Sequence, residues 1–427
     1  MSSYLTGQKQ YPLAAAVSDV PASLSSSGLP RPISSQKQLV SIASTTASQQ
    51  AGGMVSFSIP TGPGANAYLI NNSMYLRCTI KPNQTGTVAA NASFQLNSQS
   101  ASALINRITV QIGSQTINQI NRYDYLHEIL LTHATNRNYY EQDSLLLQYT
   151  TAPNSLCVSG SAPNSVDVVI PLIVPLFNNE KSFPLFLLNA PINIQIDLNQ
   201  TKDVIFGNTG DFSTGYTVSN ANLVFDTLQV SSEYVNAIKA EMMKGNLYQL
   251  NMHDYSTMTT QSVAAFNYMI GANYSSLRGV LYTQVPSTTA TTGLVLFQKN
   301  NQTNCRLYLD GRQINNFDLS ADSQIYAEFQ RALGNMFDVQ LTSYLAPEIT
   351  GSSITPPLTA RGYYTSRSFV AGISTNRVSD YMAMTGSPCQ NINLVVNSDG
   401  GAFNFYIVLL VDEILTIDAM GQVMLVK

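Results

Sequence analysis

Acid–base, nucleophilic and metal chemistry all need particular side chains at particular spacings, and this chain supplies few of them. Its three histidines are His127, His133 and His253. His127 and His133 stand six positions apart, whereas two histidines on one helix face share a metal at i and i+4, so each reads as a structural side chain held by a hydrogen bond. Cys78, Cys157, Cys305 and Cys389 are scattered without metal-ligand spacing and read as free buried thiols. Asp412 and Glu413 are neighbours in a strand-like run, which points them to opposite faces and prevents joint work as acid and base. Gly62-Pro63-Gly64-Ala65-Asn66-Ala67 has the outline of a dinucleotide fingerprint, yet Pro63 and the strand-like Tyr68-Leu69-Ile70 leave no helix N-terminus to hold a pyrophosphate. The sequence contains no His-Glu-x-x-His, nucleophile elbow or phosphate loop. The expectation is a protein with no catalytic site, no cofactor and no metal.

The composition points away from other partners too. Lys+Arg number 21 and Asp+Glu 25 in 427 residues, so charged residues make up 11%, where soluble domains carry about 25%. A net charge of −4 with no basic run argues against sequence-specific or wrapping contact with nucleic acid. Apolar residues still make up 44% and the mean hydropathy is +0.01, so Asn, Gln, Ser and Thr replace the missing charges while the core remains. The longest apolar run, Phe405–Val411, is far short of the roughly 20 residues of a membrane-spanning helix. Met1–Leu5 lacks the basic start and apolar block of a secretory signal, which makes synthesis in a cytosol the expectation.

The elements that would position any site are mostly strands. Residues 1–52 are Ser-rich without periodicity and read as a flexible N-terminal arm. Beyond them, alternation such as Ile108, Val110, Ile112 and Ile192, Ile194, Ile196, Leu198 marks strands with one apolar face. Helical stripes occur at Tyr125, Leu126, Ile129, Leu130, His133, and at Ile325, Tyr326, Phe329, Leu333 before Gly334. A third helix is expected from Ser232 to Lys244, stopped by Gly245.

The chain also repeats itself. Gly113 and Gly311 are 198 positions apart, as are Gln115 and Gln313, each set in a strand–turn–strand that leads into a helix. Gly113-Ser114 fits a two-residue hairpin turn with positive φ at its first position, and Asp310-Gly311 fits the mirror-image turns that match strand twist. Gly113, Ser114, Gln115, Asp310, Gly311 and Gln313 are therefore the candidate structural positions. Glu128/Glu328, Leu76-Arg77/Leu277-Arg278 and the runs Asn222–Val230 and Asn404–Asp412 recur in the same order. The chain is two copies of one β-rich unit of roughly 190 residues.

This organisation resembles the double jelly-roll major capsid proteins of tailless icosahedral DNA viruses, a lineage that includes tectivirus-like phages, adenoviruses, virophages and large nucleocytoplasmic DNA viruses. Ile105 through Ile117 is similar to that family's Ile-Gly-Gly-Gln-x-Ile hairpin, with Ser114 at the second glycine. Ile170-Pro171-Leu172 through Ile192 is similar to its Pro-Leu-x-Phe and Leu-Pro-Leu-x-x-Leu segments, and Leu228–Glu233 with Tyr248 is similar to its connector, with Tyr234 where an Arg is usual. The resemblance covers about residues 54–427. It implies an all-β fold of two tandem eight-stranded antiparallel jelly rolls with a few short helices: a first roll at 53–231, a connecting helix at 232–246 and a second roll at 247–427.

The function so implied is structural. The chain would be a major capsid protein, not an enzyme, forming pseudo-hexagonal homotrimeric capsomers that tile an icosahedral virion shell. Its partners would be neighbouring capsomers, penton and minor capsid proteins, with a lipid membrane beneath the shell left open. A neutral, amide-rich surface suits burial against copies of itself. The segments 201–220 and 283–300, rich in Gly, Thr and Asn, are the expected outer loop tips. The alternatives are a jelly-roll carbohydrate-binding or host-attachment protein and a double jelly-roll hydrolase that trims N-glycans. The absence of Trp weighs against the first, and the absence of paired edge carboxylates against the second.

Overall fold

A computed structural model describes residues 35–62, 64–83, 94–96, 101–134, 165–179, 181–207, 215–262, 266–286, 297–315, 317–334, 364–365, 368–377, 384–398 and 401–426. Its strands number as follows in chain order. Before the connector lie β1 (Ser35–Ala43), β2 (Ser48–Gln50), β3 (Met54–Ile59), β4 (Ala67–Leu69), β5 (Tyr75–Pro82), β6 (Phe94–Leu96), β7 (Ile105–Ile112), β8 (Gln115–Asn121), β9 (Val166–Pro171), β10 (Phe183–Pro184), β11 (Ile192–Leu198), β12 (Ile205–Gly207) and β13 (Tyr216–Val230). After it come β14 (Tyr248–Ser262), β15 (Phe266–Pro286), β16 (Gln302–Leu309), β17 (Arg312–Gln313), β18 (Ala371–Ser374), β19 (Ser387–Ser398), β20 (Phe403–Ile417) and β21 (Val423–Val426). Three twelve-residue helices accompany them: α1 (Tyr123–Ala134), α2 (Ser232–Met243) and α3 (Asp322–Leu333).

The first unit is a sandwich of two antiparallel sheets. One has β13 at its centre, with β1 and β2 on one edge, β4 and β5 on the other, and β9 and β10 beyond; the second has the order β3-β11-β7-β8. Alternation explains the layers, because Ile192, Ile194, Ile196 and Leu198 of β11 and Ile108, Val110 and Ile112 of β7 are all buried while their neighbours are less so. These faces meet Leu76, Ile80, Val218 and Leu223 of the opposite sheet in one core.

The second unit repeats this pairing plan. β13 lies between β1/β2 and β5, and β20 lies between β14 and the second half of β15. β11 lies between β3 and β7, and β19 lies between the first half of β15 and β16. β7 turns into β8 as β16 turns into β17; β5 carries β9 as β15 carries β18. The single 21-residue strand β15 does the work of both β3 and β5, bending at register shifts between Gly271 and Gly279 as it passes from one sheet to the other. The two sandwiches are thus two antiparallel rolls in tandem, built from thirteen described strands before the connector and eight after it.

Two of the helices end on the expected glycines. Ser231 caps α2, its hydroxyl accepting from the Tyr234 N–H at 3.3 Å, and Gly245 follows with φ +93°. Gly334 closes α3 in the left-handed conformation, φ +82°.

Two expectations need correction. The sequence reads as a flexible arm up to residue 52, but β1 pairs along its whole length with β13, from Ser35 opposite Val230 to Ala43 opposite Asn222, and β2 continues beside Thr217–Ser219. Ser-Gln-Lys-Gln-Leu-Val-Ser-Ile-Ala hides this strand because an edge strand is held by its backbone and leaves both faces largely exposed. Residues 1–34 lie outside the described residues. The tips expected at 201–220 and 283–300 are partly regular structure, since 216–220 belong to β13 and 283–286 to β15; residues 208–214 and 287–296 lie outside the described residues.

Candidate functional site

The two hairpins singled out by the repeat sit in corresponding places. Gly113 has φ +60° and Ser114 follows it at an exposed corner, with Gln115 opposite Ile112; the Gly113 N–H donates to the Pro191 carbonyl at 3.3 Å. Asp310 and Gly311 both have positive φ, +48° and +80°, and Arg312 returns opposite Leu309, with Gln313 opposite Tyr308. The Asp310 carboxylate accepts the N–H groups of Gln390 and Asn391 at 3.0 and 2.8 Å, which ties this turn to the start of β19. These six residues shape turns; among the described residues they form no common pocket.

The polar side chains that matter most lie where the sandwiches meet. β8 stands against β14: Asn118 Nδ2 donates to Asp254 Oδ1 at 3.0 Å, and the Asn121 N–H donates to Thr257 Oγ1 at 2.8 Å. Asn118 and Asp254 are both buried, and Asn118 also accepts the Leu176 N–H through its Oδ1. Both contacts advance together along the strands, so the two rolls stand side by side the same way up. α1 extends the seam. Tyr125 meets Tyr406 and Phe297 edge-to-face at 5.5 and 5.7 Å, and the Arg122 guanidinium lies 3.9 Å from the Tyr125 ring centre while pairing with Asp124. Burial pushes the Asp124 carboxyl up to about 6 despite the opposing pull of Arg122.

Apolar contact makes the seam continuous with the first core. Phe405, Ile407, Leu409 and Val411 of β20 face the second roll's own core, while Tyr406, Val408 and Leu410 belong to the core of the first. The uninterrupted run Phe405–Val411 is therefore a strand buried on both faces, a wall shared by two sandwiches.

The histidines take structural places. His133, near the end of α1, reaches the Ser368 carbonyl at 3.0 Å and packs its ring against Phe329 at 4.9 Å, so it too crosses the seam. His127 is equally buried, and burial lowers both imidazoles to about 4 against the weaker upward effect of a backbone hydrogen bond. His253 sits on Asp412: its Nδ1 is 2.8 Å from Oδ1, while Oδ2 accepts Ser276 Oγ at 2.7 Å and the Thr385 N–H at 2.8 Å. Burial pushes the Asp412 carboxyl up, but these hydrogen bonds and the Arg278 charge outweigh it and hold the group below the ordinary carboxylate range. Ser276 and His253 are on different oxygens of the acid, so the serine donates to the carboxylate and no base is placed to activate it. Cys78, Cys305 and Cys389 are free and buried, and burial raises each thiol; Cys157 lies outside the described residues. Among the described residues no group of His, Cys, Asp or Glu could hold a metal.

The two ends of the paired rolls differ. At one end lie the Gly113 turn, Ser35 opposite Val230, the cap of α2, and Tyr248 opposite Ile417. At the other, Pro82 faces Tyr216, and Ser262 and Pro286 flank Phe403.

No protein-family model matches the chain, and no curated protein sequence matches it. Solved structures do. PBCV-1 VP54, whose crystal structure was fitted into a cryo-EM reconstruction of the virophage Sputnik, is 13% identical, with a TM-score of 0.60 over 93% of this chain and 98% of that one. The Faustovirus major capsid protein is 7% identical, with a TM-score of 0.62 over 91% of each chain. The mavirus major capsid protein is 10% identical, with a TM-score of 0.53 over 91% of this chain and 89% of that one.

Proposed function

We propose that this chain, which has the double jelly-roll fold of those major capsid proteins, is the structural major capsid subunit of an icosahedral virion and has no enzymatic activity. The observation that carries the reading is the shared wall: one core runs from the first roll through the seam into β20, so the two rolls form one rigid block with two similar sides. Three such blocks in a ring present six similar sides and can tile as a hexamer would while obeying three-fold symmetry.

The ends support the same assignment. The end with tight turns and the connector suits the inner face of a shell, and the opposite end, at Pro82, Ser262 and Pro286, the outer face. Penton and minor capsid proteins, and a lipid membrane under the inner face, belong to this proposal as partners, and assembly in the host cytoplasm as its setting. Negative-stain electron microscopy of the purified chain tests it: six-lobed blocks about as wide as two rolls per side are expected, and single two-lobed particles at every concentration would overturn it.

A further inference from the structure

We infer that the segment Tyr11–Val17 covers an apolar sheet face at the connector end of the same copy, made by the start of β14, the end of β20 and β21. The inference goes beyond the shell-subunit reading and holds whether or not copies associate.

The face follows from strand register. β15 pairs with β20 no further than Val411, and from Ile414 to Ile417 β20 has β14 on one side and β21 on the other. There Tyr248, Ile417 and Val423 stand abreast, as do Leu250, Leu415 and Leu425, and all six belong to the first core or pack on it. Alternation sends Leu247, Ile414, Met424 and Val426 to the other face, where Ile414 is half-buried and the other three are exposed. Met243 ends α2 just before Leu247, and Met420 sits in the turn that follows the Tyr248–Ile417 pair; both are exposed. Five of the nine exposed large apolar side chains among the described residues thus gather at this end, whereas an unused surface scatters them singly. Three of the five are methionines, whose flexible thioethers adapt to an irregular partner.

The chain supplies that partner. β1 begins at Ser35 opposite Val230, beside the Ser231 cap of α2, so residues 1–34 join the fold at the same end. α2 leads from that junction to Met243 over twelve residues, about 18 Å. Residues 18–34 can span up to about 55 Å when extended, well beyond that distance. The only charges in residues 1–34 are Lys9, Asp19 and Arg31, and Tyr11-Pro-Leu-Ala-Ala-Ala-Val17 between the first two has no polar side-chain group except one hydroxyl. Because the segment is tethered beside the face, even a weak apolar contact is well populated. An anionic lipid surface is a poorer match, since Lys244 is paired with Glu241 and Asp418 lies in the turn, which leaves no excess of positive charge at the border among the described residues.

The test is methionine footprinting of the full chain with dilute hydrogen peroxide, read by peptide mass spectrometry. Met54 is the reference: it is 45% exposed against 54% for Met424, and it lies opposite Asp197 at the far end of β3 from the Gly113 turn, so without a cover the two oxidise alike. Met420 and Met424 are expected to oxidise several-fold more slowly than Met54 in the full chain. They are expected to match it in a chain lacking residues 1–28, which keeps β1, and in full-length Leu13→Asp, which changes no described residue. Equal rates in the full chain, or protection that survives both changes, would overturn the inference. Protection that appears only at concentrations where light scattering shows association would assign the face to a second copy, and protection that requires phosphatidylglycerol vesicles would assign it to a membrane; either overturns it too. A chain that stays monomeric with Met424 protected upholds the inference while the shell-subunit reading fails.

Discussion

A carboxylate with no exposure to water is tolerable only when every lone pair is answered, and Asp412 meets that condition through His253, Ser276, Thr385 and the nearby Arg278. Replacing it with Asn puts an amide where donors converge, and Asp412→Asn is expected to cost about 3 kcal/mol in denaturant unfolding. Acid should act through the same physics. Asp412 is held below its ordinary range in the fold, so its contribution is present at neutral pH and is lost as pH falls through that depressed value. The buried histidines respond earlier. Between 6.5 and about 4 the unfolded chain takes up protons that folded His127 and His133 refuse, so stability declines as pH falls through that window. Melting curves of His133→Phe should show a shallower decline than the wild type over that range, and an identical slope would contradict the assignment. The sequence reads His127 and His133 as structural side chains, since their spacing does not suit a shared metal. It did not show Asp412 as the centre of a knot, because Ser276, Arg278 and Thr385 come from separate segments that only the folded sheet brings together.

Among the elements, the strands with one wet face and one dry face were the readable ones. β7 and β11 alternate because each faces a single core, and α1 and α3 carry stripes for the same reason. β1 was hidden by the opposite circumstance. It buries little, and its stability comes from backbone pairing to β13 with help from the Lys37–Asp226 ion pair and the Gln38–Gln229 side-chain hydrogen bond. Removing residues 1–50 deletes this edge and should lower the melting temperature by several degrees, whereas an arm outside the fold could be removed without any shift. β20 lay between these cases. Its apolar run was visible, but its meaning, burial on both faces, depends on a second sandwich packing against the first.

The whole molecule is a repeat whose copies share a wall, and only the order of features along the chain revealed it; Gly113 and Gly311, with their matched turns, kept the period that the weakly similar strands had lost. The consequence is cooperative unfolding. Tyr406, Val408 and Leu410 complete the first core from the second roll, so calorimetry should show one transition, and residues 247–427 expressed alone should aggregate through that uncovered face. Two well-separated transitions would mean that the seam is a contact between independent domains.

The most direct measurement of the central claim is the native mass of the purified chain by light scattering at low and high salt. A block built to close a ring of three predicts about 139 kDa, three times 46.4 kDa, and little change with salt because so few charges are available to be screened. A species of 46.4 kDa at every concentration and both salt levels would contradict it.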